Sequence, residues 1–237
     1  MDPQRTAIVT GAAAGIGRAT GERLARDGWR VVGIDRTRHA IDGVEMLVGD
    51  AGDPSLLAAA VERCNRSVDA LVCSAGIPPS GPWDSREHWD EVLRVDLTAP
   101  YEALRACWSA LVAAHGSAVI VGSIVGAREG SLRSPAYAAA KAGVEGLARS
   151  FAVIGASEGV RVNVVAPGAV ATDFDERLLP ADERSDVPLG RMGTPDEVAA
   201  VIGFLVGPEA AYVTGAVWTV DGGRTILSGA DAARRNG

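Results

Sequence analysis

The chain has 237 residues, 47% of them hydrophobic, with 29 glycines and a formal net charge of −7. That length suits one domain with a substantial core, and the acidic balance gives no basic footprint for nucleic acid. No apolar run reaches the roughly 18 residues of a membrane-spanning helix, and Met1-Asp2-Pro3-Gln4-Arg5 ahead of the first predicted strand gives the expectation of no signal peptide.

Apolar strand-like runs at 6–9, 31–34, 46–48, 70–73, 119–121, 162–165 and 217–220 alternate with helical patterns at 15–27, 55–64, 86–114, 136–157 and 196–206. Runs that are apolar on both faces, separated by helices, predict an α/β fold with a parallel sheet covered on each side. The connector 36–44 is too short for a helical crossover and predicts a loop or a single turn. There is no repeat, low-complexity tract or domain linker. The polar, small-residue stretch 224–237 predicts a mobile tail. Cys64, Cys73 and Cys107 have neither metal-ligand nor disulfide spacing, so reduced thiols in the cytoplasm are expected.

The first strand runs into Thr10-Gly11-Ala12-Ala13-Ala14-Gly15-Ile16-Gly17, and a helix follows. Glycines there let the backbone turn tightly and approach a pyrophosphate, which the helix N-terminus stabilises through its free N–H groups and dipole. An acid, Asp35, ends the second strand roughly twenty residues on, the context a dinucleotide fingerprint demands. Its carboxylate can accept hydrogen bonds from the adenosine ribose and would repel a 2′-phosphate, which favours NAD over NADP. Arg36 and Arg38 pull the other way, since a guanidinium can pair with that phosphate. Asp50, ending the third strand, either reaches the adenine or simply forms a turn.

Lys141 is the only lysine among 23 Lys+Arg positions, and it stands four residues after Tyr137. On a helix that spacing stacks the two side chains on one face. A neighbouring ammonium favours phenolate over phenol, which turns a tyrosine into a usable acid/base near neutral pH.

With the glycine loop, Asp35 and the Tyr137/Lys141 pair, the chain resembles the short-chain dehydrogenase/reductase family from the first strand almost to the C-terminus. Further matches are Ala75-Gly76, Ser123, Pro167-Gly168 with Thr172, and Val220-Asp221-Gly222-Gly223. The resemblance implies a three-layer Rossmann fold, a doubly wound parallel sheet of about seven strands in one domain. It also implies a homotetramer that transfers hydride between a nicotinamide and a hydroxyl or carbonyl carbon. Tyr137 would be the general acid/base, Ser123 would hydrogen-bond the substrate oxygen, and Lys141 would hold the nicotinamide ribose and lower the Tyr137 pKa. Gly11, Ala14, Gly15, Ile16, Gly17, Asp35, Arg36, Asp50, Ala51, Ser74, Ala75, Gly76, Pro167, Gly168, Val170 and Thr172 would line the cofactor. These roles also follow from chemistry: loss of hydride from a carbinol carbon needs a base, a donor that fixes the oxygen, and a cofactor held at near-attack distance.

Two positions depart from the family. Cys73-Ser74-Ala75-Gly76 stands where Asn-Asn-Ala-Gly is usual, with little functional damage expected because the lost amides mainly brace strands. Asp96 stands at the position of a fourth catalytic residue, an asparagine that helps hold a relay water. There it offers either its backbone carbonyl alone or an added negative charge near Lys141.

His39, His88 and His115 share no motif with a nucleophile or a carboxylate and read as bland positions. Trp89 and Trp108 read as packing residues, while Trp83 is better placed for a cleft mouth. Arg128 and Arg133 either meet an anionic substrate or are solvated loop charges. The segment 173–189 is expected to carry a substrate lid, with Phe174, Leu178 and Leu179 presenting an apolar inner face to a hydrophobic secondary alcohol or ketone. The competing readings are a 3-oxoacyl reductase using NADPH and a non-catalytic dinucleotide sensor. The first would want a basic carrier-docking patch where this chain has Ala114 and Glu158. The second is supported only by Asp96.

Overall fold

The computed structural model describes residues 4–79, 81–131, 134–172 and 187–226. Seven strands form one sheet: β1 (Thr6–Thr10), β2 (Arg30–Asp35), β3 (Val44–Val48), β4 (Ala70–Cys73), β5 (Ser117–Val121), β6 (Arg161–Pro167) and β7 (Val217–Val220). Their order is β3-β2-β1-β4-β5-β6-β7, and every pairing is parallel. The helices are α1 (Gly15–Arg26), α2 (Pro54–Arg63), α3 (Arg86–Leu93), α4 (Ala99–Ala114), α5 (Pro135–Ala156) and α6 (Pro195–Val206).

Alternation of side chains along each strand divides the core in two. Ile8, Val32, Leu71 and Ile120 face α2, α4 and α5 through Leu57, Leu104, Leu111 and Val144. Ala7, Val9, Val31 and Val72 face α1 and α6 through Leu24, Val198, Ile202 and Leu205. This is the expected three-layer Rossmann arrangement. β1, β4 and β5 are buried at every position. β3 and β7 are only partly so, contrary to the expectation of strands apolar and covered on both faces. Each is an edge strand with a neighbour on one side only.

The connector after β2 is a loop, as expected. It carries the chain back to pair Val31 with Val44, a return of roughly 16 Å for five strand residues, which an extended loop can span. The single helix expected over 86–114 is instead α3 and α4 joined by a π-helical turn, Arg94–Thr98. Pro100 accounts for the break: it has no N–H to offer the carbonyl of Asp96 four residues back, and the local widening accommodates its ring.

Two expected features fall partly outside the described residues. Of the lid, Phe174, Leu178 and Leu179 lie outside them; Val187 is described and buried. Of the tail, Arg224–Ile226 is a 3₁₀ turn. It is pinned by Thr225, whose N–H and Oγ1 both donate to Asp221 Oδ2, at 2.8 and 2.7 Å. The polar composition that suggests a mobile tail thus belongs, over these three residues, to a capped turn.

Candidate active site

The sheet reverses its winding between β1 and β4, and a cleft of about 850 Å³ opens there along the C-terminal strand ends. That is where ligands bind in open α/β sheets. At one end lie Asp35, Arg36, Asp50 and Ala51; in the middle Gly11, Ala14, Gly15, Ile16, Ser74, Ala75 and Gly76. At the other end are Ser123, Tyr137, Lys141, Asp96, Pro167, Gly168, Val170 and Thr172. Every candidate site residue except Gly17 lines this cleft.

Gly17 packs α1 onto the loop: a Cβ there would come within 2.1 Å of Gly11 O. Gly11 has φ +68°, and its Cβ would collide with Ala75 N at 2.6 Å. Gly15, with φ +52°, faces Thr172 across the loop. Ala14 gives α1 no side-chain cap, whereas Asp53, Ser85, Ser134 and Thr194 cap α2, α3, α5 and α6. The first N–H groups of α1 are left for an anion. A dinucleotide therefore fits: glycines clear its path, an uncapped helix suits its pyrophosphate, and a carboxylate stands at the adenosine end.

Asp35 accepts from Ala13 N–H at 3.0 Å and Thr37 N–H at 2.9 Å, which ties the glycine loop to the end of β2. Arg36 is held away: its Nη2 lies 2.5 Å from Asp50 Oδ2, and Arg94 Nη1 reaches the same oxygen at 2.8 Å. Partial burial would raise the Asp50 carboxyl, but Arg36, the Gly52 N–H and Arg94 hold it at about 2. Asp50 Oδ1 also accepts from Gly52 N–H at 2.9 Å, so its turn-forming role is real as well. Arg38 is exposed and is not among the lining residues. His39 does line the cleft.

At the other end, Ser134 caps α5 by accepting from Tyr137 N–H at 3.2 Å, and Pro135 supplies the first turn. Tyr137 and Lys141 then fall one turn apart, both buried, with Nζ 5.4 Å from the phenol ring centre. Gly126, at φ +116°, lets the loop after β5 lie against α5, since a Cβ there would meet Ala138 O at 2.6 Å. That loop carries Ser123, whose Oγ accepts from Val125 N–H at 3.1 Å and keeps its own proton to donate.

Asp96 is fully buried, and its side chain points at Lys141: Oδ1 lies 3.0 Å from Nζ, while Oδ2 accepts from Ile77 N–H at 3.2 Å. The alternative in which only its backbone serves the site does not hold. Lys141 Nζ also donates to Val121 O at 3.1 Å. Burial disfavours its charge, but Asp96 and then Tyr137 outweigh that and raise its pKa above the usual lysine value.

Sequence reasoning passed over Thr10. Its Oγ1 accepts from Ser74 N–H at 3.2 Å and Ala75 N–H at 3.4 Å, bracing the loop where the family's asparagines are missing. A hydroxyl ending an otherwise apolar strand was the available signal. Arg128 is occupied by buried Glu145 at 2.7 Å and is no free anion receptor, while Arg133 lies outside the described residues. His115 adopts a left-handed helix end, and His88 Nε2 lies 3.4 Å from Ser134 Oγ. Trp108 packs on Phe151, as expected of a packing residue, and Trp83 is exposed.

Residues 11–225 match the family model described as enoyl-(acyl carrier protein) reductase. The chain belongs to the short-chain dehydrogenase/reductase family. Among curated relatives of this short-chain oxidoreductase, cis-4-hydroxycyclohexanecarboxylate dehydrogenase of Sinomonas cyclohexanicum is 40% identical, covering 94% of this chain and 98% of the relative. The 3-oxoacyl-[acyl-carrier-protein] reductase FabG of Escherichia coli is 35% identical, with the same coverages. Among solved structures, an oxidoreductase of this family from Burkholderia thailandensis superposes with a TM-score of 0.87 at 36% identity, covering 99% of this chain and 98% of that one. Aldohexose dehydrogenase from Thermoplasma acidophilum gives 0.88 at 28% identity, covering 95% and 96%.

Proposed function

We propose that this short-chain oxidoreductase transfers hydride between NAD(H) and a hydrophobic, cyclic secondary alcohol or its ketone. The observation that carries the reading is the convergence of Ser123, Tyr137 and Lys141 at one end of a cleft whose other end presents Asp35. In this reading Ser123 Oγ donates to the substrate oxygen, and Tyr137 Oη gives or takes the hydroxyl proton. Lys141 holds the nicotinamide ribose and favours the phenolate. The nicotinamide, when bound, supplies or accepts the hydride. The relative acting on a hydroxycyclohexane carboxylate supports a ring-borne secondary alcohol. Rates of nicotinamide reduction across a panel of cyclic and acyclic secondary alcohols at alkaline pH test this; no turnover with any of them, nor with the matching ketones and reduced cofactor, would favour the dinucleotide-sensor reading.

The NAD preference rests on two features. Asp35 lines the adenosine end, and the guanidinium of Arg36, the next residue along the chain, is engaged with Asp50. We expect a higher kcat/KM with NAD than with NADP, and Asp35→Ala is expected to narrow the ratio by about tenfold or more, since one charge–phosphate repulsion is removed. A wild-type preference for NADP would assign the ribose pocket to Arg36 or Arg38 instead.

A second reading, NADPH-dependent reduction of 3-oxoacyl thioesters, is favoured by the FabG relatives. Against it stands the surface at the ends of α4 and α5. Ala114 and Glu158 occupy it, and Glu158 is bonded to Trp108 Nε1 at 3.0 Å. An acidic carrier would meet like charge there. Turnover of a 3-oxoacyl thioester with NADPH exceeding that of any alcohol with NAD would reverse the choice.

Assembly as a homotetramer belongs to the same proposal. The small residues Ala136, Ala140 and Ala148 of α5 face this chain's own core, while Ala139 is exposed and Gly146 has open space beside it, where another helix could approach. Further surfaces available are the exposed Tyr101, Val153 and Ile154 on α4 and α5, and Phe204, Tyr212 and Trp218 around α6 and β7. Light scattering is expected to return four times the 24.3 kDa chain mass; the single-chain mass at micromolar concentration would refute it. Among the described residues no helix is long and apolar enough to cross a membrane.

A further inference from the structure

The position facing Lys141 is built for a carboxylate. Asp96 meets two partners, the Lys141 ammonium in an ion pair 3.0 Å from Oδ1 and the Ile77 N–H donating to Oδ2. An asparagine would turn its NH₂ toward one of them, where it cannot accept a hydrogen bond. The fit is close: a Cβ on Gly76 would lie 2.8 Å from Oδ1 and 3.7 Å from Nζ, so only glycine there leaves the pair its space. The π-helical turn forced by Pro100 presents Asp96 at this point.

A positive charge beside a phenol favours phenolate, and a carboxylate bound to that charge offsets it. We propose that Asp96 is a positioning residue that neutralises Lys141 toward Tyr137. It holds the phenol protonated through neutral pH, so that the site works as a proton donor for carbonyl reduction and oxidises alcohols only under alkaline conditions. This rests on the assignment of Tyr137 as the proton carrier. The raised affinity of Lys141 for its proton, driven by Asp96 against the effect of burial, keeps the ion pair intact over that range.

Among the described residues, Arg94, Glu145 and Glu129 on neighbouring segments are engaged elsewhere. Arg94, on the same turn, is drawn to Asp50. On α5, Glu145 is bound by Arg128 at 2.7 Å and Arg149 at 3.6 Å. In the loop after β5, Glu129 pairs with Arg224 at 3.3 Å. On α3, His88 faces Ser134 at the start of α5, with Nε2 3.4 Å from Ser134 Oγ.

The experiment is a titration of Tyr137 by phenolate ultraviolet absorbance in the full chain, taken as wild type minus Tyr137→Phe. It needs no substrate and is independent of whether the proposed alcohol is right. Half-ionisation above about pH 9, close to the ordinary tyrosine value of about 10, is expected; a value below about 9 overturns the proposal. In Asp96→Asn the half-ionisation is expected to fall by about one to two pH units, the effect of removing a unit charge several ångströms away at an effective dielectric near 20. The alkaline rise of alcohol oxidation should move down with it. An unchanged value, or an upward shift because Lys141 loses its charge without Asp96, would overturn the proposal as well. The wild-type titration decides even if the asparagine variant does not fold.

Discussion

Tyr137→Phe is expected to lower turnover by about 10²–10⁴-fold, the usual range for removing a general acid/base, while leaving cofactor affinity nearly unchanged. Only the hydroxyl is lost. The ring stays against Val92, Ala136 and Ala140, and the N–H that bonds Ser134 belongs to the backbone. Steady-state rates with a responding alcohol, together with cofactor titration by fluorescence, separate the two effects. Residual turnover above about a tenth of the wild-type rate, against the hundredfold minimum expected, would remove Tyr137 from the proton-transfer role. A matching loss of cofactor binding would point to a packing role instead.

Lys141→Arg, which keeps the charge, is expected to fail nearly as badly. The ammonium is buried, donates to Val121 O at 3.1 Å and forms an ion pair with Asp96 Oδ1 at 3.0 Å. A planar guanidinium is larger and cannot direct its donors along those lines. Overpacking of this kind destabilises by about 1–3 kcal/mol, and turnover is expected to fall about a hundredfold or more as the ribose and phenol contacts are lost. Lys141→Met tests the electrostatic part. It orphans a fully buried carboxylate, which costs about 3–5 kcal/mol. Thermal unfolding of Lys141→Met beside the double variant Lys141→Met/Asp96→Asn checks this: a double variant no more stable than Lys141→Met has lost packing rather than an ion partner. Wild-type stability for Lys141→Met would mean that the pair contributes nothing to the fold.

The two ends of the cleft show how far a linear reading reaches. Glycines at 11 and 15 after an apolar strand, an acid ending the next strand, and a tyrosine four residues before the only lysine each encode a local constraint. A positive φ, an uncapped helix start and one helical turn depend on a few consecutive residues, so they are written in order along the chain. The same holds for the βαβ alternation, because parallel strands buried on both faces must be apolar throughout.

What the chain does not spell out is where side chains meet across elements. The role of Gly17 in packing onto Gly11 needed the tertiary structure, as did Thr10 bracing Ser74 and the capture of Arg36 by Asp50. Asp96 is the sharpest case. Its identity was plain, but whether the carboxylate turned toward Lys141 depended on a π-helical turn set by Pro100, on the absence of a Cβ at Gly76, and on the N–H of Ile77. Those residues lie on separate segments, and only the packing of the α3–α4 junction, the loop after β4 and α5 into one site brings them within hydrogen-bonding distance. By itself the sequence determined the fold, the family and the chemical groups at the site; the tertiary structure decided how their charges are paired, because pairing depends on distances of a few ångströms that sequence separation does not encode.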